Sequence, residues 1–263
     1  MWKVMVRVVV VLCLLAIWPA GRTVEASDWK WSITPYLWGP SMNLSLEVND
    51  QDVGGGQVDM PDVIDALEFA FAAHLEGQRG RNGLFADVYF VDFKGDDKSY
   101  DLASSIPGEV VVQGKLAATI FEAGGLYNPS GTGKGLSVLY GARMFDLDLG
   151  VDGAYDFDDG TTEGRSYDVS KALWDALIGV RYVGEFSDRW LYDFKVDASA
   201  AGTDLAWTAL AGVGWAYGAE RQHAIVVGYR YMRIDFKETT DRGIDVESEV
   251  ELGGFYGAFK FGF

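Results

Sequence analysis

Between Trp29 and Phe263 the sequence alternates apolar with other residues in ten long runs, and in the clearest of them the charges keep to one phase. A period of two is that of a β-strand whose faces meet different surroundings. The runs are Trp29 to Val48, Ala66 to Gly77, Gly83 to Lys94, Glu109 to Tyr127, Gly135 to Asp148, Asp168 to Val183, Asp188 to Ser199, Leu205 to Gly218, His223 to Lys237 and Glu249 to Phe263. The first is expected to carry a bulge at Gly39-Pro40, because its apolar phase moves from Ile33 and Leu37 to Met42, Leu44, Leu46 and Val48.

The polarity of the alternation distinguishes a barrel in lipid from one in water. In the run Asp188 to Ser199, Trp190, Tyr192, Phe194 and Val196 share one face, while Leu191, Asp193, Lys195 and Asp197 share the other. Ala172, Trp174, Ala176, Ile178, Val180 and Tyr182 likewise oppose Lys171, Asp175 and Arg181, and Phe69, Phe71 and Leu75 oppose Glu68, His74 and Glu76. A soluble core would not tolerate the charged faces. An Arg or Lys facing lipid at midplane costs about 2–4 kcal/mol, so the near absence of charge on the apolar phase implies apolar residues outside. Glu122 departs from this pattern, through either a bulge near Phe121 or a different register. The expected fold is all-β: an antiparallel transmembrane β-barrel of about ten strands, with eight or twelve as the nearest alternatives.

The connections support this. Short ones at Gln78 to Asn82, Asn128 to Lys134, Gly184 to Ser187 and Ala219 to Gln222 interleave with longer ones at Asn49 to Asp65, Gly95 to Gly108, Leu149 to Tyr167, Ala200 to Asp204 and Glu238 to Ser248. Outer-membrane barrels have short periplasmic turns and longer external loops, and an even strand number puts both termini in the periplasm. Lys3 and Arg7, the eleven-residue apolar run Val8 to Trp18, and Val24-Glu25-Ala26 before Ser27 form a secretory leader, residues 1–26, too short to span a bilayer as a helix. Residues 27–263 then form one domain, located in the cell outer membrane.

The closing run places Phe255, Gly257, Phe259, Phe261 and Phe263 on one phase. A terminal aromatic of this kind resembles the signal that outer-membrane barrels present to their assembly machinery, which assigns that role to Phe263, Phe261 and Phe259. Thr34-Pro35-Tyr36-Leu37-Trp38 resembles the T-P-Y-x-W opening strand of a family of uncharacterised proteobacterial outer-membrane proteins, and Gly83 to Phe93 is similar to that family's third barrel segment. The resemblance implies the barrel fold and no particular activity.

The chain carries a net charge of −17, and the leader's Lys3, Arg7 and Arg22 against Glu25 leave −19 on residues 27–263. Such acidity repels nucleic acid and anionic lipid headgroups alike and can attract divalent cations; outer-membrane lipid, lipopolysaccharide and the assembly machinery are the partners expected from the barrel reading. The only cysteine, Cys13, lies in the leader, so no thiolate chemistry follows, and no cofactor is expected. Glu68, His74, Glu76, Asp87, Lys115, Arg143, Asp175, Arg181, Asp193, Lys195, Arg230 and Lys260 are the expected lumen-lining residues. With both signs in near balance, their simplest role is a paired filling of a narrow interior.

A narrow porin-like channel is the first functional expectation, with Arg143, Arg181 and Arg230 as the cation-repelling groups. A structural barrel whose acidic loops bind divalent cations, lipopolysaccharide or a partner is the second. Asp156, Asp158, Asp159 and Glu163 offer oxygens at short spacing to a hard cation, but depart from the EF-hand pattern; a solvated loop is the simpler reading. A barrel hydrolase is the third and least favoured. His74 reads as a satisfied interior histidine, His223 as a residue at the periplasmic end, and no G-x-S-x-G motif is present, so no enzyme is expected. Trp29, Trp31, Tyr36, Trp38, Tyr89, Tyr127, Tyr140, Trp174, Tyr182, Trp190, Trp207, Trp215, Tyr229, Tyr231 and Tyr256 are expected interfacial anchors.

Overall fold

The computed structural model describes residues 29–48, 51–58, 67–94, 98–101, 108–157, 162–239 and 245–263. Every regular element among them is a strand: β1 (Lys30–Val48), β2 (Gln51–Val58), β3 (Leu67–Arg79), β4 (Asn82–Lys94), β5 (Lys98–Asp101), β6 (Gly108–Tyr127), β7 (Gly135–Phe157), β8 (Thr162–Glu185), β9 (Trp190–Ala201), β10 (Leu205–Tyr217), β11 (His223–Thr239) and β12 (Asp245–Gly262). Neighbouring strands pair antiparallel, and β12 returns to β1, closing a barrel with no unpaired seam along its turn-side half. Ten staves make the wall. β2 and β5 are short additions at the loop end, β2 on β1 and β5 on β6. The ten expected runs match the ten staves, and the loop-side ends of β7 and β8 extend well past the expected limits.

Closure satisfies the backbone, which lipid requires of any spanning strand. It also leaves large apolar side chains on the outside: Leu37, Tyr140, Trp174, Ile178, Val196, Val227, Phe255 and Phe259 are among the most exposed residues of their type. That is the inside-out arrangement of a membrane barrel.

β7 and β11 each carry two polarities along their length. On β7 the outward phase reads Leu136, Val138, Tyr140, Ala142 and Met144, then Asp146 and Asp148. The inward phase passes from Arg143 to Phe145 and Leu147, with Phe145 fully buried. On β11, Val227 and Tyr229 face outward below Arg233 and Asp235, while inward Arg230 gives way to Met232 and Ile234, at 0% and 4% exposure. The turn-side half is apolar outside and charged inside. The loop-side half is apolar inside and charged outside.

This reversal accounts for the phase change in β1. The expected bulge at Gly39-Pro40 is absent: β1 pairs with β12 in unbroken register from Tyr36 opposite Ala258 to Val48 opposite Val246. The irregularity lies between Leu46 and Glu47 in the β1–β2 ladder. On its other side β1 pairs with β3 as far as Tyr36 and with β2 from Met42, so Pro40, which has no N–H to give, sits where only β12 is bonded.

Candidate functional site

The charged layer of the lumen is built by register. His74 on β3 faces Asp87 on β4, Asp87 faces Glu122 on β6, Glu122 faces Arg143 on β7, and Arg143 faces Asp175 on β8. Directly opposed residues share a face, so these five form one continuous row around the inner wall. Asp193, Lys195 and Asp197 of β9 come in from beyond its end.

Arg143 and Glu122 are at 0% and 1% exposure, so neither charge is solvated and each needs partners. Arg143 donates from Nε and Nη2 to Glu122 Oε1 at 3.0 and 2.7 Å, from Nη2 also to Asp197 Oδ1, and from Nη1 to Ser199 Oγ at 3.2 Å. Lys195 Nζ lies 3.1 Å from both Glu122 Oε2 and Asp197 Oδ2. Nearer the short turns, Arg181 forms a bidentate pair with Asp193 at 2.9 and 2.6 Å and donates to Glu76. His74 lies between two acceptors, with Nδ1 at 3.1 Å from Asp87 and Nε2 at 3.4 Å from Glu76. Only the doubly protonated ring satisfies both.

Glu122 is therefore lumenal. The β4–β6 and β6–β7 ladders are unbroken around it, so no bulge is involved; the phase was misread because Ile120 and Leu126, 4% and 3% exposed, lie on the same inward face. Lys115 pairs with Lys94 and Gly150 in the two ladders.

Asp175 is inward as expected, but it serves the adjoining connection. It accepts from the amides of Gly202 and Thr203, from Thr203 Oγ1 and from Ser199 Oγ at 2.6–2.9 Å. This pins the β9–β10 connection as a tight turn, although it was expected among the longer loops. Asp158 and Asp159 lie outside the described residues, as do the side chains of Glu68, Lys115, Asp156 and Glu163.

Four expected interfacial aromatics face inward instead. Trp38, Tyr89 and Tyr256 are buried, and Tyr36 donates from its hydroxyl to Asp87 at 2.7 Å. Tyr256 occupies space vacated by glycines: a Cβ on Gly212 would come within 2.2 Å of its hydroxyl, and one on Gly228 within 2.6 Å of its ring. Tyr127, Tyr140, Trp174, Tyr182, Trp190, Trp215 and Tyr229 are exposed on the outer wall, where anchors belong.

Above the charged row, toward the long loops, Trp38, Tyr89, Val91, Ile120, Phe145, Met232 and Ile234 pack into an apolar cluster. Below it, toward the short turns, lies a cavity of about 150 Å³. Its polar wall includes Tyr36, His74, Arg181, Lys195, Arg230 and Lys260, and its apolar wall Phe85, Leu126, Leu139, Leu191, Leu210 and Val226. The lumen thus has an accessible pocket at the turn end, a paired charge layer in the middle and an apolar layer beyond it.

No protein-family model matches the chain, and no curated protein matches it in sequence. Among solved structures it is similar to the outer membrane protease OmpT from Escherichia coli, with 10% identity over 92% of this chain and 99% of that one and a TM-score of 0.53. The Pseudomonas putida toluene transporter TodX (10% identity, 95% and 92% coverage, TM-score 0.33) and a Pseudomonas aeruginosa FadL homologue (11%, 89% and 90%, 0.30) overlap it too loosely to support an argument. The likeness to OmpT is one of fold: a membrane β-barrel of the outer-membrane kind.

Proposed function

We propose that this chain is a closed, surface-exposed barrel of the bacterial outer membrane, with its short turns in the periplasm, and that it does not act as an open diffusion pore. The observation behind this reading is the double closure of the lumen, by the Glu122–Arg143–Asp197 layer and by the apolar layer around Phe145 and Met232. Ions crossing a dry apolar layer would lose their hydration, and a barrel of about ten strands is narrow enough for side chains to fill. The loop-side half then acts as a small folded unit held above the lipid. Its ion pairs support a soluble exterior there: Arg233 with Asp235 and Glu249 at 3.0 and 2.6 Å, and Lys237 with Glu247 at 2.6 Å.

A narrow channel is the second reading, favoured by the cavity that reaches from the turn end as far as Arg230. It requires the Phe145 layer to move. Hydrolysis is disfavoured because both nitrogens of His74 are engaged by carboxylates, leaving none to act as a base. We also place the chain with the uncharacterised T-P-Y-x-W family on the strength of its opening strand, whose Tyr36 and Trp38 together surround Arg230.

Planar-bilayer recording tests the proposal. The folded barrel is expected to be silent. Reproducible conductance steps from the unaltered protein would overturn the closed reading.

A further inference from the structure

The three lumenal arginines are unequally partnered. Arg143 and Arg181 each bond two carboxylates. Arg230, only 5% exposed, has no carboxylate within hydrogen-bond distance: Glu122 lies 3.8 Å away, Nη1 donates to the neutral hydroxyl of Tyr36 at 3.1 Å, and the buried Nε has no partner. Its guanidinium lies over the Trp38 ring at 4.6 Å, a contact that holds the fork in place without using its N–H groups.

This arginine lines the cavity at its inner end. Around the same cavity four cationic side chains, Arg181, Lys195, Arg230 and Lys260, face three carboxylates, Glu76, Asp87 and Asp193, before His74 is counted. Lys195 also meets Glu122 and Asp197 behind this wall, each shared with Arg143, so the lining is close to charge balance and the unmet demand is that of Arg230 itself. Leu210 pairs with Arg230 across the β10–β11 ladder, and with Val226, Phe85, Leu126 and Leu139 it gives the cavity an apolar lining.

We propose that this cavity is a binding site for a small monocarboxylate with an apolar body, entered from the short-turn end. A carboxylate is planar and matches a guanidinium fork, so it would supply the acceptors that Arg230 lacks. A space of about 150 Å³ accepts a benzene-sized ring, which limits the body to one aromatic ring or a short alkyl chain. An inorganic oxyanion would leave the apolar wall unused, and a neutral aromatic would leave the buried Nε of Arg230 without an acceptor. The proposal does not depend on the barrel being closed, since binding from one end needs no passage through the other.

The test is calorimetric titration of benzoate, and of benzamide as its neutral counterpart, into the barrel extracted folded from membranes in detergent. Saturable benzoate binding is expected, with benzamide and an Arg230→Gln variant weaker by roughly 10- to 100-fold, the range for losing a charge-assisted pair. Folding of each variant is checked by its heat-modifiable gel mobility. Leu210→Trp, which fills the apolar side and leaves Arg230 in place, should also abolish binding. Absence of saturable benzoate binding, equal affinity for benzamide, or unchanged binding in a folded Arg230→Gln or Leu210→Trp variant would each overturn the proposal. Should Arg230→Gln fail to fold, the benzoate and benzamide comparison on the unaltered protein decides the question.

Discussion

The two halves of this barrel apply the same alternation to opposite ends. In the turn-side half, Tyr140, Ile178 and Phe259 are displayed outside while Arg143, Arg181 and Arg230 are held inside; in the loop-side half, Phe145, Met232 and Ile234 are inside while Asp146, Asp148, Arg233 and Glu249 are outside. No strand breaks to achieve this, and the β6–β7 and β11–β12 ladders cross the boundary in continuous register. Period two specifies that a strand has two faces. Which face is apolar depends on the solvent at that height, and here the solvent changes from lipid to water partway along the strand.

Substitutions can break or sharpen this contrast. The largest effect is expected inside the turn-side half, where Arg143→Met leaves Glu122 and Asp197 buried without their shared partner and costs about 3–5 kcal/mol of stability. Phe145→Ala, two residues along the same strand but in the apolar layer, is expected to cost about 3–5 kcal/mol through cavity formation alone, and to do so equally at low and high salt. On the outer wall, Ile178→Arg puts a charge into lipid at a cost of about 2–4 kcal/mol. Asp148→Arg makes the same kind of change above the lipid and should stay within about 0.5 kcal/mol. Urea unfolding in lipid vesicles, followed by tryptophan fluorescence, measures all four. Equal costs at Ile178 and Asp148 would remove the distinction between the halves.

Much of the fold was legible because long alternating runs and alternating connection lengths are local signals; all ten staves were found from them. Most of the lumenal charges were legible for the same reason. What escaped was non-local. His74, Asp87, Glu122, Arg143 and Asp175 are spread over about a hundred residues and form a row only once four hairpin registers are set. Glu122 was obscured by Ile120 and Leu126, since a lumen that carries apolar patches imitates a lipid face. Tyr36, Trp38, Tyr89 and Tyr256 read as membrane anchors because residue type alone does not separate an interfacial aromatic from one that buttresses an arginine. The tight turn after β9 depends on Asp175 from the neighbouring strand, a contact no local pattern encodes.

The most direct test of the two-polarity barrel uses the absence of cysteine from residues 27–263. Single cysteines placed along β7 from residue 136 to residue 148 would carry spin labels, and their accessibility to oxygen, which concentrates in lipid, and to a water-soluble nickel chelate would be recorded. The outward positions 136, 138, 140, 142 and 144 are predicted to favour oxygen, 146 and 148 to favour the chelate, and the inward positions 145 and 147 to be shielded from both. Oxygen preference continuing through 148, or free access of the chelate to 145 and 147, would contradict the account.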